Sequence, residues 1–212
     1  MRTKSERKRR EILQAAAAVF HEAGFERASM EDIRKKAGFS KATLYSYFAS
    51  KEELFMEIVV DATESQFQAT LDALDPSVDD IRQALGGFGV RFLTLLYLTP
   101  VQSVRRLVVS EAGRSELGRK CFELGPQRSM AVVADYLGKA MEKGKLRQAE
   151  AMVAALHLKG LLESEWIDPF MFQVLEAPGA EALEASVERA VGVFMAAYGP
   201  SAEDVSTRKR RR

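Results

Sequence analysis

Residues 29–55, SMEDIRKKAGFSKATLYSYFASKEELF, read as a helix, a tight turn, a second short helix and the start of a third. Ser29 stands three residues before Asp32, and Ser50 three before Glu53. A serine at such a position accepts from an orphan amide of the first turn, and the acidic residue suits the positive helix end. The Ser50–Glu53 pair is expected to form a full capping box. Between the two starts, Ala37-Gly38-Phe39-Ser40 breaks the helical pattern. Gly38 is free to take positive φ, and Ser40 is placed to cap a new helix running through Lys41, Thr43, Leu44, Tyr45 and Tyr47. This is a helix-turn-helix, a motif whose second helix usually enters the DNA major groove.

Reading outward, a first helix is expected from about Lys4 to Ala23, with Ile12, Leu13, Ala16, Val19 and Phe20 as its apolar stripe. Gly24 ends it and Phe25 turns back toward the core. Ile33, Ala37, Phe39, Leu44 and Phe48 complete a small three-helix core. A long helix follows from Ser50 to about Leu74, closed by Asp75-Pro76 because the residue before proline disfavours the α region. The remainder shows helical periodicity and no strand-like alternation. Expected spans are 77–98, 101–112, 114–123, 126–143, 148–164 and 180–198. The breaks are Pro100, Gly113, Gly125-Pro126, Gly144, Asp168-Pro169 and Pro178-Gly179, with Pro126 in a first turn and Gly144 a C-terminal stop. The expected fold is all-α. Residues 1–50 form a three-helix helix-turn-helix domain, 51–198 a larger helical ligand-binding and dimerisation domain, and 199–212 a disordered basic tail.

The stretch resembles the N-terminal DNA-binding domain of TetR-family transcriptional regulators. The resemblance is carried by Phe20, Gly24-Phe25, Ile33, Ala37-Gly38, Leu44-Tyr45, Tyr47-Phe48, Lys51 and Leu54, and covers roughly the first 60 residues. Residues 105–147, RRLVVSEAGRSELGRKCFELGPQRSMAVVADYLGKAMEKGKLR, are similar to the C-terminal domain of the AefR-like branch. The resemblance implies a homodimer that binds a palindromic operator and is usually released by a small ligand, the long helix changing the separation of the two heads. It also implies DNA-contact positions. Lys41, Ala42, Thr43 and Tyr45 meet bases or nearby phosphates. Tyr47 and Lys51 clamp phosphate, and Ser29 is a further phosphate candidate. The alternatives are that Ser29 and Ser50 are caps only and that Tyr45 is partly core. The reading helix holds no Arg, Asn or Gln, so specificity would lean on Tyr45, thymine methyl contacts and DNA shape.

Composition and charge agree. The chain has 212 residues, is 47% hydrophobic and 29% charged, and carries a net charge of +1. Residues 1–50 are net +5, residues 51–207 net −9, and Arg208–Arg212 add +5. A cationic head on an acidic body suits a protein that presents one end to phosphates. Arg7–Arg10 are either solvated or reach a minor groove. Cys121 is the single cysteine, so no internal disulfide is expected. No secretory leader is read, and no apolar stretch approaches the ~18 residues of a membrane span. The expected location is the cytoplasm.

Two segments carry apolar stripes suited to a dimer. These are 148–164, with Met152-Val153, Leu156, Gly160 and Leu161, and 180–198, with Leu183, Val187, Ala190-Val191, Phe194 and Tyr198. Paired with their symmetry mates they would form a four-helix bundle; the alternative is that both stripes face the subunit's own core. For a small hydrophobic effector the candidate residues are Phe88, Phe92, Tyr97, Phe122, Met130, His157, Trp166 and Phe170, each of which could equally be core, or in the case of His157 a satisfied structural histidine.

No cofactor or metal is expected. Cys121 and His157 are the only nucleophile–base pair on offer, His21 is the only other histidine, and neither H-E-x-x-H nor CxxC spacing occurs. The chain therefore does not read as an enzyme. The competing readings are a non-specific DNA-compacting protein and an activator without a small-molecule effector.

Overall fold

The computed structural model describes residues 5–75, 78–113, 116–174 and 178–200. These fold as eleven α-helices: α1 (Glu6–Ala23), α2 (Met30–Ala37), α3 (Lys41–Tyr47), α4 (Lys51–Asp72), α5 (Ile81–Leu96), α6 (Thr99–Ser110), α7 (Leu117–Phe122), α8 (Arg128–Glu142), α9 (Ala151–Glu163), α10 (Ile167–Met171) and α11 (Ala180–Tyr198). No strand occurs among the described residues. Lys4, Pro76 and the run Arg208–Arg212, each given a part in the sequence reading, lie outside them. Among the described residues no single helix is long and apolar enough to cross a membrane.

The chain forms two compact units. Among the described residues, one holds those up to 64 and those from 103 to 121; the other holds those from 65 to 102 and from 122 onward. In the first, Ile12, Ala16, Val19, Ala28, Ile33, Leu44, Phe48 and Leu54 close a small core around α1–α3 and the start of α4. Phe20, Phe25 and Phe55 pack beside it in tilted and edge-on pairs with ring centroids 4.9–5.8 Å apart. The second core is built by α5, α8, α9 and α11, with Leu85, Leu93, Leu137, Leu158 and Phe194 fully buried.

The helix ends follow local chemistry, with three departures from expectation. The complete capping box is the first one: Ser29 Oγ accepts from the Asp32 amide at 3.2 Å, and the Asp32 carboxylate accepts from the Ser29 amide at 3.2 Å. At the start of α4, Ser50 Oγ accepts from the Glu53 amide at 3.2 Å, but Glu53 reaches past Ser50 to the amide of Ala49 at 2.8 Å. Gly125-Pro126 is not a break. Backbone on both sides is helical, and residues 123–127 form a π-helical turn that joins α7 to α8. Proline cannot donate in a helix interior, and the wider turn accommodates it. Asp168-Pro169 is not a break either. It lies in the first turn of α10, where a proline removes no intrahelical bond. Gly38 and Gly144 end their helices at φ 72° and 59°, as helix-stopping glycines do.

The apolar stripe named on 180–198 faces inward. Leu183, Val187, Ala190, Val191, Phe194 and Tyr198 are all buried in the subunit's own core, so this set does not supply a dimer face. Within that core α5 lies close enough to α9 and α11 to require a glycine. A Cβ on Gly89 would lie 2.8 Å from both Leu162 Cδ2 and Val187 Cγ1. Gly87, two residues earlier, faces open space. Gly89→Ala is expected to destabilise the fold by about 1–3 kcal/mol through overpacking. Gly87→Ala is expected to stabilise it by about 0.5–1 kcal/mol through helix propensity and reduced unfolded-state entropy. Urea unfolding of the two variants checks the opposite signs.

Candidate nucleic-acid interface

α3 has seven residues and two sides. Leu44 is completely buried and Phe48, its C-cap, nearly so. Lys41, Ala42, Tyr45 and Ser46 are exposed. Lys41 and Tyr45 lie four apart and so share a face; the lysine ammonium sits 5.8 Å from the tyrosine ring centroid. Ala42 and Ser46 form a second row. Tyr45 is 45% exposed, which places it on the surface and not in the core. Ser46 was not singled out from sequence, because a serine in a short helix carries no signal of its own. It becomes visible only once Leu44 fixes which side faces in.

The helix is held at its start by Ser40, whose Oγ accepts from the Thr43 amide at 3.1 Å and shares a hydrogen bond with Thr43 Oγ1 at 2.9 Å. The Thr43 hydroxyl is thus part of the cap and half-buried. Arg34, in the last turn of α2, donates to both carboxylate oxygens of Glu31 (2.7 and 2.8 Å) and to the carbonyl of Phe39 in the turn at 3.4 Å. The hydrogen bond from Arg34 holds the Glu31 carboxyl below the usual carboxylate range.

Three other residues that the resemblance places at phosphates have partners within the protein. Ser29 is exposed and serves as the cap already described; its hydroxyl also donates to Asp32 at 2.5 Å. The Tyr47 hydroxyl accepts from the Ser5 amide at 2.8 Å, tying the start of α1 to the end of α3. Lys51 is the most engaged. Its ammonium donates to the carbonyls of Phe25 (3.0 Å), Glu26 (3.2 Å) and Ala28 (3.3 Å) and stands 4.6 Å from the Phe25 ring centroid. An ammonium has three donors, and here each has a carbonyl. Lys51 therefore pins the α1–α2 loop, a task that its distance of more than 20 residues from that loop hides in sequence.

The effector candidates divide. Phe88, Phe92, Tyr97, Met130 and Phe170 are buried in the second unit's core, with Trp166 half-buried against it. Phe88 and Phe92 stack at 5.6 Å, and Tyr97 meets Trp166 and Phe170 at 6.1 and 6.3 Å. Trp166 donates its indole N–H to Ser186 Oγ at 3.1 Å. Phe122 and His157 do not join them. Phe122 is 57% exposed. His157 lies on the outer side of α9, with Nδ1 2.5 Å from the Tyr198 hydroxyl. Cys121 is half-buried, and burial raises its thiol pKa, so its thiolate is disfavoured.

A head of capped short helices with one exposed, partly cationic reading face defines a helix-turn-helix transcriptional regulator. Residues 12–58 match the model described as bacterial regulatory proteins of the TetR family, and residues 83–200 match the AefR-like transcriptional repressor C-terminal domain. The chain belongs to the TetR family of transcriptional regulators. It is similar to the crystal structure of a TetR-family regulator from Mesorhizobium loti MAFF303099 (32% identity, 93% of this chain and 100% of that one, TM-score 0.77). The flavonoid-responsive regulator FrrA is also similar, at 32% identity over 93% of this chain and 100% of its own, with a TM-score of 0.72. Among curated relatives, the repressor KstR2 of Mycobacterium tuberculosis is 33% identical over 40% of this chain and 42% of its own length. The matched stretch spans 31% of the regulator YdgC of Bacillus subtilis, at 43% identity.

Lys51→Met is expected to lower the unfolding free energy by about 1–3 kcal/mol, because three carbonyls lose a charged donor. Urea unfolding would measure this; a variant as stable as the parent would release Lys51 from the loop.

Proposed function

We propose that this regulator is a repressor that binds a palindromic operator as a homodimer and is released by a small, largely apolar ligand. The observation that carries the reading is the exposed face of α3. Lys41, Ala42, Tyr45 and Ser46 stand on a helix whose other side is sealed into the head. Lys41 meets phosphate, Tyr45 lies against a base edge, and Ala42 and Thr43 make room for or touch a thymine methyl. Ser29 and Tyr47 hold the scaffold and approach the backbone from it. Lys51 supports the interface from behind the loop.

A seven-residue reading helix binds weakly alone, and two heads on one duplex gain effective concentration. The surface that supports dimerisation is the outer side of α9 and α11. Met152, Val153, Leu156 and Gly160 are exposed on α9, and Val193, Ala196 and Ala197 on α11. Small and apolar side chains in two neighbouring helices suit a four-helix bundle with a second copy. The effector is proposed to be aromatic and apolar. That follows from the cluster Phe88, Phe92, Tyr97, Trp166 and Phe170, and from the likeness to a flavonoid-responsive regulator. A ligand weakens DNA binding only by its differential affinity for the released conformation.

The test is fluorescence anisotropy on duplex from upstream of the chain's own gene against random duplex, at ~0.15 M salt. Preference for the upstream duplex by ~10³ or more supports a sequence-specific regulator, and equal weak binding moves the reading to non-specific compaction. A flavonoid series added to the complex is expected to release DNA while changing Trp166 emission. Tyr45→Ala should narrow the gap between operator and random duplex; equal losses on both would remove Tyr45 from reading. Leu156→Asp should shift gel-filtration mass to a single chain and weaken operator binding. A dimer that survives it would place the interface elsewhere.

A further inference from the structure

We infer that Lys120, in the last turn of α7, is a positioning residue for operator recognition. Through Glu53 it holds the joint between the reading helix α3 and α4. The inference rests on the DNA-binding reading above. The joint is short: Phe48 caps α3 in extended backbone (φ −135°, ψ 126°), and α4 begins at Lys51. Only Ala49 and Ser50 lie between.

Glu53 spans this joint. Its Oε2 accepts from the Ala49 amide at 2.8 Å, while its own amide donates to Ser50 Oγ at 3.2 Å. Its other oxygen, Oε1, pairs with Lys120 Nζ, which is 67 residues away in sequence. Glu53 is 8% exposed, the most buried of the acidic residues in this unit. A carboxylate removed from water needs a charged or hydrogen-bonding partner on each oxygen. The Ala49 amide satisfies one, and Lys120 satisfies the other.

Removing the Lys120 ammonium leaves that carboxylate short of compensation. The side chain is then drawn outward to water, and the Ala49 amide loses its acceptor. Ala49, one of the two residues between α3 and α4, is then no longer fixed. A glutamate in an ordinary capping box would spend itself on the Ser50 amide. Reaching one residue further places one oxygen on the joint and the other on α7. Lys120 is followed by Cys121, the last residue of this compact unit. Lys120 is thus a side chain by which α7 holds Glu53 at the joint that follows the reading helix.

The test compares Lys120→Met, Lys120→Arg and Glu53→Gln with the parent chain. Glu53→Gln keeps a carbonyl oxygen for the Ala49 amide and loses the ion pair. Affinity for the upstream duplex is expected to fall about tenfold in Lys120→Met and Glu53→Gln, and to be restored in Lys120→Arg. The salt slope is expected to stay unchanged, since Lys120 makes no phosphate contact of its own. In free protein, the Ala49 amide should exchange several-fold faster in Lys120→Met. Parental affinity with lowered stability would reduce the pair to a structural one and overturn the inference. A slope smaller by about one unit would make Lys120 a phosphate contact and overturn it equally. If the parent binds upstream and random duplex alike, the regulator reading itself fails, and Ala49 exchange alone then decides whether Lys120 holds the joint.

Discussion

A helix of seven residues does not hold itself together in water. Nucleation is costly, and isolated helices much shorter than about twelve residues are marginal even with favourable sequences. α3 is such a helix, and it is the second helix of the helix-turn-helix. Its rigidity is therefore borrowed. Leu44 and Phe48 are buried on one side, Ser40 caps the start, Arg34 bonds the preceding turn, and the Tyr47 hydroxyl is tied to Ser5. Lys51 pins the loop beneath it, and Glu53 with Lys120 holds the joint after it. Much of the polar bonding in the first unit serves this one short element.

That arrangement explains why several expected DNA contacts turn out to have internal partners. Phosphate-clamping lysines, tyrosines and serines are polar groups near a helix start, and so are the groups that hold a helix start in place. Ser29, Tyr47 and Lys51 sit where both tasks can be done. Lys51 is the clearest case of an internal partner, its ammonium donating to three carbonyls of the α1–α2 loop. Tyr45 and Lys41 have the opposite character: they are exposed and contribute nothing to the core.

The second unit follows a different logic. Its stability comes from broad apolar packing among α5, α8, α9 and α11, tight enough that Gly89 leaves no room for a methyl group. Aromatic side chains gather in that core. The outer sides of α9 and α11 leave Met152, Val153, Leu156 and Val193 exposed. α11 is apolar around much of its circumference, so periodicity alone could not say which arc faces inward. The larger side chains, Phe194 and Tyr198 among them, took the core, and Val193, Ala196 and Ala197 face out.

What the sequence determined by itself was local. Serines three residues before acidic ones, glycines at helix ends and apolar residues at helical spacing are short-range signals. They placed α1–α3, the turn at Gly38 and the stop at Gly144, because capping and left-handed backbone depend on neighbours within a turn or two. Prolines were less legible: the same residue ends a helix, opens one at Asp168-Pro169, or sits in a π-turn at Pro126, depending on what surrounds it. Only the tertiary structure decided the pairings across long separations. Ser5 with Tyr47, Lys51 with the loop at Phe25 and Lys120 with Glu53 are brought together by the folding of helices onto one another. No local pattern encodes them, since each partner alone looks like any other polar residue on a helix.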